Sequence, residues 1–335
     1  MNITKKIFES RKLEFNSLEY RKKRFEKIFS NEKNNNYIGL INFNKLDTEI
    51  YKKLQDQCLD FIIASFDPKI KKINLPQDND EKLKFIIKNL KELYSMTPNG
   101  FIVPKSHSNK EYNALIDTFY SLFDTKELRN VIKYWQEPLG ICIKSYANDR
   151  PDLEVEKSSR LYHQTSNAHI ESWAGYSNFG VNTLLPLFGD IKKNYTEFFE
   201  PKENYNDLEV NSATKKNINQ IKAKNYNEKP ANPAFKNEYI SGNLICWDNC
   251  LLHRTKIEDK NSYRIFIVNQ FIPYLSRKES KANINSKYRK LGQLTHNILS
   301  SKKHILKFSK INDRRFKSTL GGKRDAYNYK VMRLK

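Results

Sequence analysis

The spacing of apolar residues predicts helices over the first third of the chain. From residue 3 to residue 31, apolar positions recur at helical intervals among many charges, which predicts an amphipathic helix at the periphery of the protein. Further helical patterns and one short extended segment follow before residue 125. The extended segment is 37–46, and the helical segments are 47–66, which opens with Asp47 as a cap, 81–95 and 111–123.

The pattern changes near Pro138, after which apolar and polar residues alternate in short runs. The run at 140–147 (GICIKSYA) alternates as a half-buried strand does. Later runs are separated by Gly, Asn, Asp and Pro, and this texture is typical of a β-sandwich or barrel. In order they are RLYHQ, AHIESW, GVNTLLPLFGD, YTEFFEP, YISGNLICWD and SYRIFIVNQFIP. We therefore predict a mainly β fold with flanking helices.

Breaks in this pattern suggest three regions. A basic helical N-terminal segment covers 1–34, and a β-rich domain with N-terminal helices covers 35–275. Within that domain, 202–237 is a polar insertion long enough to be either a lid or a disordered loop. A basic C-terminal extension, expected to be helical, covers 276–335.

The net charge of +22 is concentrated towards the C-terminus. Residues 276–335 hold 18 basic against 3 acidic residues, whereas residues 160–275 hold 14 against 12. Of the 60 basic residues 46 are Lys, although nucleic-acid recognition often favours Arg. A Lys- and Asn-rich chain also results from an AT-rich coding sequence. The charge alone therefore favours nucleic acid only as an alternative function.

The sequence contains no apolar run near the length of about 20 residues that spans a membrane. Its first residues lack the apolar core of a secretory signal, so we expect a cytoplasmic protein. Four cysteines are too few for a disulfide framework. Cys246 and Cys250 lie four apart, but no second pair completes a zinc site, so buried thiols are expected.

Two histidines and a glutamate form the most specific chemical pattern in the chain. His169 and Glu171 are two apart, so on a strand they project to the same side. His253 follows the apolar strand GNLICWD and can reach the same point from another strand end. Two imidazoles and one carboxylate are the facial set that holds non-haem Fe(II) with three positions open. The alternatives are ordinary polar residues, or a shifted set through His163, where Thr165 is a poor replacement for a carboxylate.

Arg264 lies in the alternating strand YRIFIV, eleven residues after His253. A charged guanidinium in an apolar strand is costly to bury without an anionic partner. A dicarboxylate co-substrate offers such a partner through a bidentate pair, and a structural ion pair is the alternative.

Polar and aromatic residues around this pattern are candidates for a substrate or co-substrate pocket. They are Tyr162, His163, Gln164, Trp173 and Asn182. Trp247 is expected to pack near the site. Asp248 either supports a ligating imidazole or stabilises a turn.

Residues 160–274 resemble the Fe(II)/2-oxoglutarate-dependent dioxygenases, especially the phytanoyl-CoA dioxygenase-like branch. The segments that carry the resemblance are AHIESW, TLLPLFGD, TEFFEP, GNLICWDNCLLHRT and NSYRIFIVNQF, with a weaker likeness at 37–60. The resemblance implies a double-stranded β-helix, or jelly-roll, core. It implies that His169, Glu171 and His253 bind Fe(II), and that Arg264 anchors the C5 carboxylate of 2-oxoglutarate. The family commonly has Asp where this chain has Glu171, and Glu is a tolerated variant.

The reaction implied is hydroxylation, or another oxidation, of a C–H bond with O2 and 2-oxoglutarate as co-substrates. The motif does not specify the substrate, for which a small polar metabolite of a biosynthetic pathway is our expectation. Two alternatives remain: a jelly-roll metalloenzyme that does not use 2-oxoglutarate, and a nucleic-acid-binding protein that acts through the basic C-terminal arm. The resemblance does not cover that arm.

Overall fold

The structure is a computed structural model, and the ranges that it describes hold the elements below. The described residues are 15, 17–29, 35–67, 78–93, 96, 100–102, 104–123, 131–135, 139–145, 168–171, 177–203, 226–230, 241–282, 304–310 and 327–333. The α-helices among them are α1 (Leu18–Phe29), α2 (Thr48–Ala64), α3 (Asn79–Lys88), α4 (Asn109–Ser121) and α5 (Arg277–Ala282).

Most of the strands lie after residue 130. The strands are β1 (Asn35–Ile38), β2 (Ile41–Lys45), β3 (Ile132–Trp135), β4 (Gly140–Ser145), β5 (Val181–Gly189), β6 (Asn194–Pro201), β7 (Tyr226–Pro230), β8 (Asn243–Asp248), β9 (His253–Ile257), β10 (Tyr263–Pro273), β11 (His304–Lys310) and β12 (Tyr327–Arg333). All of their pairings are antiparallel. The prediction of a mainly β fold with flanking helices is confirmed.

Two sheets build the domain. The large sheet has the order β1-β2-β8-β5-β10-β3, and β4 also pairs with β10. The small sheet has the order β7-β6-β9. Contacts between Phe198 on β6 and Trp247 on β8, whose ring centroids are 5.3 Å apart, show that the two sheets face each other. Their inner faces enclose the site described below.

Helices α2 and α4 pack together and support the large sheet. Asp47 caps α2 as predicted, because its carboxylate accepts hydrogen bonds from the backbone N–H groups of Glu49 and Ile50. The Tyr51 hydroxyl donates to the Pro186 carbonyl on β5. Phe61 on α2 and Tyr112 on α4 pack with ring centroids 5.1 Å apart. Among the described helices, none is long and apolar enough to cross a membrane.

The N-terminal helix α1 is amphipathic, as the sequence predicts, and its inner face is buried. Within α1, Arg21 and Phe25 are buried, with exposures of 1% and 0%. One charged residue of this helix, Arg21, lies on the buried face, where it pairs with the buried Asp248. The apolar stripe and this ion pair together bury the inner face of α1.

The C-terminal extension and the 202–237 insertion both contain described strands. Among the described residues of the basic extension, Arg277–Ala282 is a helix, and β11 and β12 pair as antiparallel strands where helix was expected. Their sequences, HILKFSK and YNYKVMR, include the aromatic and β-branched residues that strands favour. In the insertion at 202–237, Tyr226–Pro230 forms a strand beside β6, whereas 204–225 and 231–237 lie outside the described residues.

Candidate metal centre

His169, Glu171 and His253 converge on one point. One potential ligand atom from each residue lies within 4.8 Å of the others. The Nε2 atom of His253 is 3.4 Å from Oε1 of Glu171, and Nε2 of His169 is 4.0 Å from the same oxygen. The side chains of His169 and Glu171 are 16% and 17% exposed, so the cluster is largely enclosed. The structure thus brings together the three ligands predicted from sequence.

Backbone hydrogen bonds hold the three residues in register. His169 and His253 form an isolated antiparallel bridge, with N–H···O distances of 2.9 and 3.0 Å in the two directions. The Glu171 N–H donates to the Asn249 carbonyl at 3.1 Å. The segment 168–171 therefore lies along the chain that leads into β9. This pairing explains how residues more than 80 positions apart meet.

A carbonyl group sets the tautomer of His253. Nδ1 of His253 lies 2.9 Å from the Leu251 carbonyl oxygen, which can only accept a hydrogen bond. In the neutral ring, Nδ1 therefore carries the proton and the lone pair is on Nε2, which faces Glu171. A backbone carbonyl at this position is a common support for a ligating imidazole.

Glu171 is held as a carboxylate although it is buried. Burial raises the pKa of its carboxyl group, but with both imidazoles protonated a hydrogen bond with His253, the charges of His169 and His253, and a hydrogen bond with Gln270 outweigh burial and lower the pKa. An ionised carboxylate beside two imidazole nitrogens fits the donor set of non-haem Fe(II).

Gln270 and Asn249 support the glutamate, and the sequence analysis did not identify them. Gln270 on β10 forms a side-chain hydrogen bond with Glu171. Its Oε1 accepts a hydrogen bond from Nδ2 of Asn249 at 3.3 Å, and the same Nδ2 donates to the Ser177 carbonyl at 2.9 Å. The only sequence signal was the polar pair Asn269-Gln270 inside an apolar strand.

Arg264 lies on the inner face of the large sheet. It is 1% exposed, and its Nη1 donates to Oγ1 of Thr196 at 3.1 Å. Its guanidinium carbon lies 4.4 Å from the centre of the Phe266 ring. Thr196 is two residues along β6 from Phe198, which pairs with His253. At about 3.3 Å per residue, Thr196, which contacts the Arg264 guanidinium, therefore lies about 7 Å along β6 from the residue that pairs with His253.

Trp247 and Asn182 line the same interior. Trp247 packs against the His253 ring, with centroids 5.2 Å apart, as expected from the sequence. Asn182 is directly opposite Trp247 on one side and Gln270 on the other. Directly opposed residues of antiparallel strands project to the same face. Asn182 is thus the middle member of a polar row beside the cluster.

Asp248 stabilises a turn rather than an imidazole. Its carboxylate accepts hydrogen bonds from Nη1 of Arg21 at 2.9 and 3.1 Å, and from the Cys250 N–H at 2.8 Å. This turn leads directly to Leu251, whose carbonyl fixes His253. Arg21 was not among the residues expected at the site, because nothing in its local sequence indicates a partner 227 positions away.

The other pocket candidates cannot be placed. Tyr162, His163, Gln164 and Trp173 lie outside the described residues, and so does Thr165 of the alternative register.

Comparisons with known proteins give distant structural likenesses only. No protein-family model and no curated protein matches the sequence. The non-heme alpha ketoglutarate dependent epimerase SnoN from nogalamycin biosynthesis is 9% identical, with a TM-score of 0.37 over 75% of this chain and 83% of its own. AviO1 from Streptomyces viridochromogenes is 9% identical, with a TM-score of 0.33 over 75% and 94%. An N-substituted L-amino acid dioxygenase from Burkholderia ambifaria is 10% identical, with a TM-score of 0.32 over 76% and 91%. These scores are too low to support a functional argument, which therefore rests on the residues of the site.

Proposed function

We propose that this chain is an Fe(II)/2-oxoglutarate-dependent dioxygenase that oxidises a C–H bond of a small polar metabolite. The observation that carries the proposal is the convergence of His169, Glu171 and His253 within 4.8 Å, between two facing antiparallel sheets. In this proposal the two sheets form a jelly-roll core, and the three side chains hold the metal.

The donor set fits iron for three reasons. The cluster combines two imidazoles with one carboxylate, which is the facial set of non-haem Fe(II) oxygenases. The His253 tautomer presents Nε2 to the cluster. Oε1 of Glu171 lies 3.4 Å from Nε2 of His253 and 4.0 Å from Nε2 of His169, so its carboxylate can share one ion with both rings. When bound, Fe(II) and 2-oxoglutarate supply the activation of O2 for C–H oxidation, with succinate and CO2 as co-products.

The residues of the chain orient the metal ligands, bind the co-substrate and exclude water from the site. Gln270 fixes the carboxylate of Glu171, and the Leu251 carbonyl fixes the ring of His253. Arg264 holds the far carboxylate of the co-substrate, at a distance from the cluster that a five-carbon dicarboxylate can bridge. Trp247 and Phe198 cover the inner side of His253 with apolar surface, which keeps water away from that ligand.

The direct test is substitution of His253. We expect His253→Ala to lose stoichiometric Fe(II) binding and turnover, since one of three protein ligands is removed. The matched control is Arg254→Ala, because Arg254 is the next residue of β9 and pairs with Glu197 away from the cluster. Metal content measured after anaerobic loading distinguishes the two variants. Retained iron and turnover in His253→Ala would rule out the assignment.

A second experiment separates this proposal from a jelly-roll metalloenzyme that does not use 2-oxoglutarate. In that alternative, Arg264 is a structural or substrate-binding residue. We expect Arg264→Lys to keep Fe(II) binding and to lose at least tenfold in affinity for 2-oxoglutarate, because Lys cannot form the planar bidentate pair. Equal 2-oxoglutarate affinity in the two proteins would favour the alternative.

A further inference from the structure

Asn182 and Trp247 carry buried polar atoms without a hydrogen-bond partner in the part of the chain that the structure describes. Neither Oδ1 nor Nδ2 of Asn182 has a hydrogen-bond partner among the described residues, and the same holds for Nε1 of Trp247. Their exposures are 1% and 2%. Leaving buried polar groups unpaired destabilises a folded protein. Atoms of this kind in a folded protein call for a bound partner or an ordered water.

The two residues are adjacent and border the candidate metal centre. They are directly opposed on β5 and β8, so their Cβ atoms are about 5 Å apart on the same face. Trp247 packs on His253, and Gln270, on the other side of Asn182, contacts Glu171. A molecule that forms hydrogen bonds with Asn182 and Trp247 therefore lies close to His253 and Glu171, because Trp247 contacts His253 and Gln270 contacts Glu171.

The chemistry of the unused atoms distinguishes substrate from co-substrate. Asn182 and Trp247 offer N–H donors, and Oδ1 of Asn182 offers an acceptor. A carboxylate accepts but cannot donate, so it would leave that acceptor unpaired. A neutral group that both accepts and donates, such as an amide or a hydroxyl, satisfies both kinds of atom. Both side chains are uncharged, so nothing in this pair favours an ion.

We propose that Asn182 and Trp247 form a substrate subsite that binds a neutral amide or hydroxyl group next to the metal centre. The inference rests on the proposed function and deepens it, because it assigns the substrate a neutral hydrogen-bonding group and leaves the anionic contact to Arg264. In this arrangement, Gln270 orients the metal ligand Glu171, whereas the neighbouring Asn182 and Trp247 bind the substrate.

The first test is the stability of the ligand-free protein. In Asn182→Leu, the unused polar atoms are replaced by an apolar group of similar size, so we expect an unfolding midpoint equal to or above that of the wild type. The matched control is Asn269→Leu. Asn269 is equally buried on the adjacent strand, but its amide donates to Tyr120 and accepts from the Gln270 N–H. We expect a lower midpoint for that variant. A large fall for Asn182→Leu would show a structural role and overturn the inference.

The second test uses acetamide and acetate as probes, followed by ligand-observed NMR. The protein is loaded with redox-inert Zn(II) and 2-oxoglutarate. We expect acetamide to bind the wild type at least tenfold more tightly than Asn182→Leu, with a smaller loss for Trp247→Phe, which removes only the N–H. Acetate binding equal to that of acetamide, or no difference between wild type and Asn182→Leu, would show that water alone fills the subsite and would overturn the inference.

The 2-oxoglutarate affinity of Asn182→Leu separates this inference from the proposed function. An affinity equal to that of the wild type is the expected result. A tenfold loss would assign Asn182 to the co-substrate and overturn the substrate subsite. Failure of the wild type itself to bind 2-oxoglutarate would contradict the proposed function instead, and the comparison of unfolding midpoints would still test whether Asn182 serves a ligand.

Discussion

At the scale of single residues, the geometry of the site depends on the hydrogen-bond partner of each polar side chain. The Leu251 carbonyl takes the Nδ1 proton of His253, and Gln270 bonds to the Glu171 carboxylate. Arg264 is oriented by Thr196 and stacked on Phe266. None of these supporting groups is a predicted ligand, yet together they determine where the ligand atoms point.

Removing the support of Glu171 is expected to weaken metal binding without abolishing it. In Gln270→Leu, Glu171 loses one hydrogen bond, so we expect about a 10- to 100-fold loss of Fe(II) affinity, as for other groups that orient metal ligands. Anaerobic titration with Fe(II) measures this change. Gln270→Glu is an informative companion, because a second carboxylate should raise the pKa of the pair. Unchanged affinity in Gln270→Leu would show that Gln270 does not orient Glu171.

Thr196→Val should act on the co-substrate alone. The change removes the hydroxyl that accepts a hydrogen bond from Nη1 of Arg264, and it preserves the shape of the side chain. We expect a several-fold weaker affinity for 2-oxoglutarate and an unchanged affinity for Fe(II), both measured by titration. Thr255→Val, at the directly paired position on β9, is the control for packing in the same region. An equal effect of both variants would contradict a specific role for Thr196.

At the scale of elements, α1 joins three distant parts of the chain. Arg21 pairs with Asp248 in the turn before His253, and Arg24 donates to the Phe179 carbonyl and to Glu279 on α5. The Tyr20 hydroxyl also donates to Glu279. Helix α1 is therefore part of the support of the site, and two of its basic residues, Arg21 and Arg24, are engaged within the fold.

Breaking the Arg21–Asp248 pair is expected to destabilise the protein strongly. Both side chains are almost fully buried, at 1% and 0% exposure, so Arg21→Met leaves an uncompensated carboxylate at a cost of about 3 to 5 kcal/mol. Adding Asp248→Asn should recover much of the loss, because an amide oxygen can still accept from the Cys250 N–H. Denaturant unfolding of both variants measures the coupling. Additive losses would contradict a direct pair.

The contact of α1 with α5 is expected to respond to acid. Burial raises the pKa of Glu279, but hydrogen bonds from Ser276 and Tyr20 and the charge of Arg24 outweigh it and lower the pKa. A lowered pKa contributes stability that is present above the unfolded value of about 4.3 and is lost as the pH falls through the folded value. The difference in unfolding free energy between wild type and Glu279→Gln should therefore shrink as the pH falls below about 4. Glu19→Gln, in an exposed pair with Lys23, is the control and should show almost no difference.

The sequence predicted what local spacing determines. The i, i+2 spacing of His169 and Glu171, the strand before His253 and the cap at Asp47 are all readable from a few neighbouring residues. Gln270, Asn249 and Arg21 could not be assigned in this way, since their roles depend on the pairing of strands and helices far apart in sequence. The same limit applies to the N-terminal helix: its amphipathic pattern can be recognised in the sequence, but only the position of Asp248 shows why Arg21 is buried.

At the scale of the whole molecule, the small sheet and the large sheet each contribute residues to the site. The small sheet supplies His253 and Thr196, and the large sheet supplies Arg264, Gln270, Asn182 and Trp247. The excess positive charge lies elsewhere, with 18 basic and 3 acidic residues in 276–335. The basic residues of 276–335 are therefore separate in sequence from the residues of the candidate site.

Nucleic-acid binding through the C-terminal arm predicts a distinct result. Glu279 belongs to the contact with α1, so the informative deletion removes 283–335 and leaves α5 in place. We expect this deletion to retain Fe(II) and 2-oxoglutarate binding. Affinity for a mixed-sequence duplex, measured at several salt concentrations, tests the arm itself. Tight, strongly salt-dependent binding that disappears with the deletion would support the nucleic-acid function.

The central claim is that the His169–Glu171–His253 cluster and Arg264 together bind Fe(II) and 2-oxoglutarate. The most direct measurement is anaerobic visible absorption of the purified protein, titrated first with Fe(II) and then with 2-oxoglutarate. The account predicts a saturable charge-transfer band that is lost in Glu171→Ala and weakened in Arg264→Ala. Iron binding without a band would favour a metalloenzyme that does not use 2-oxoglutarate, and a wild-type protein that binds no iron would contradict the account.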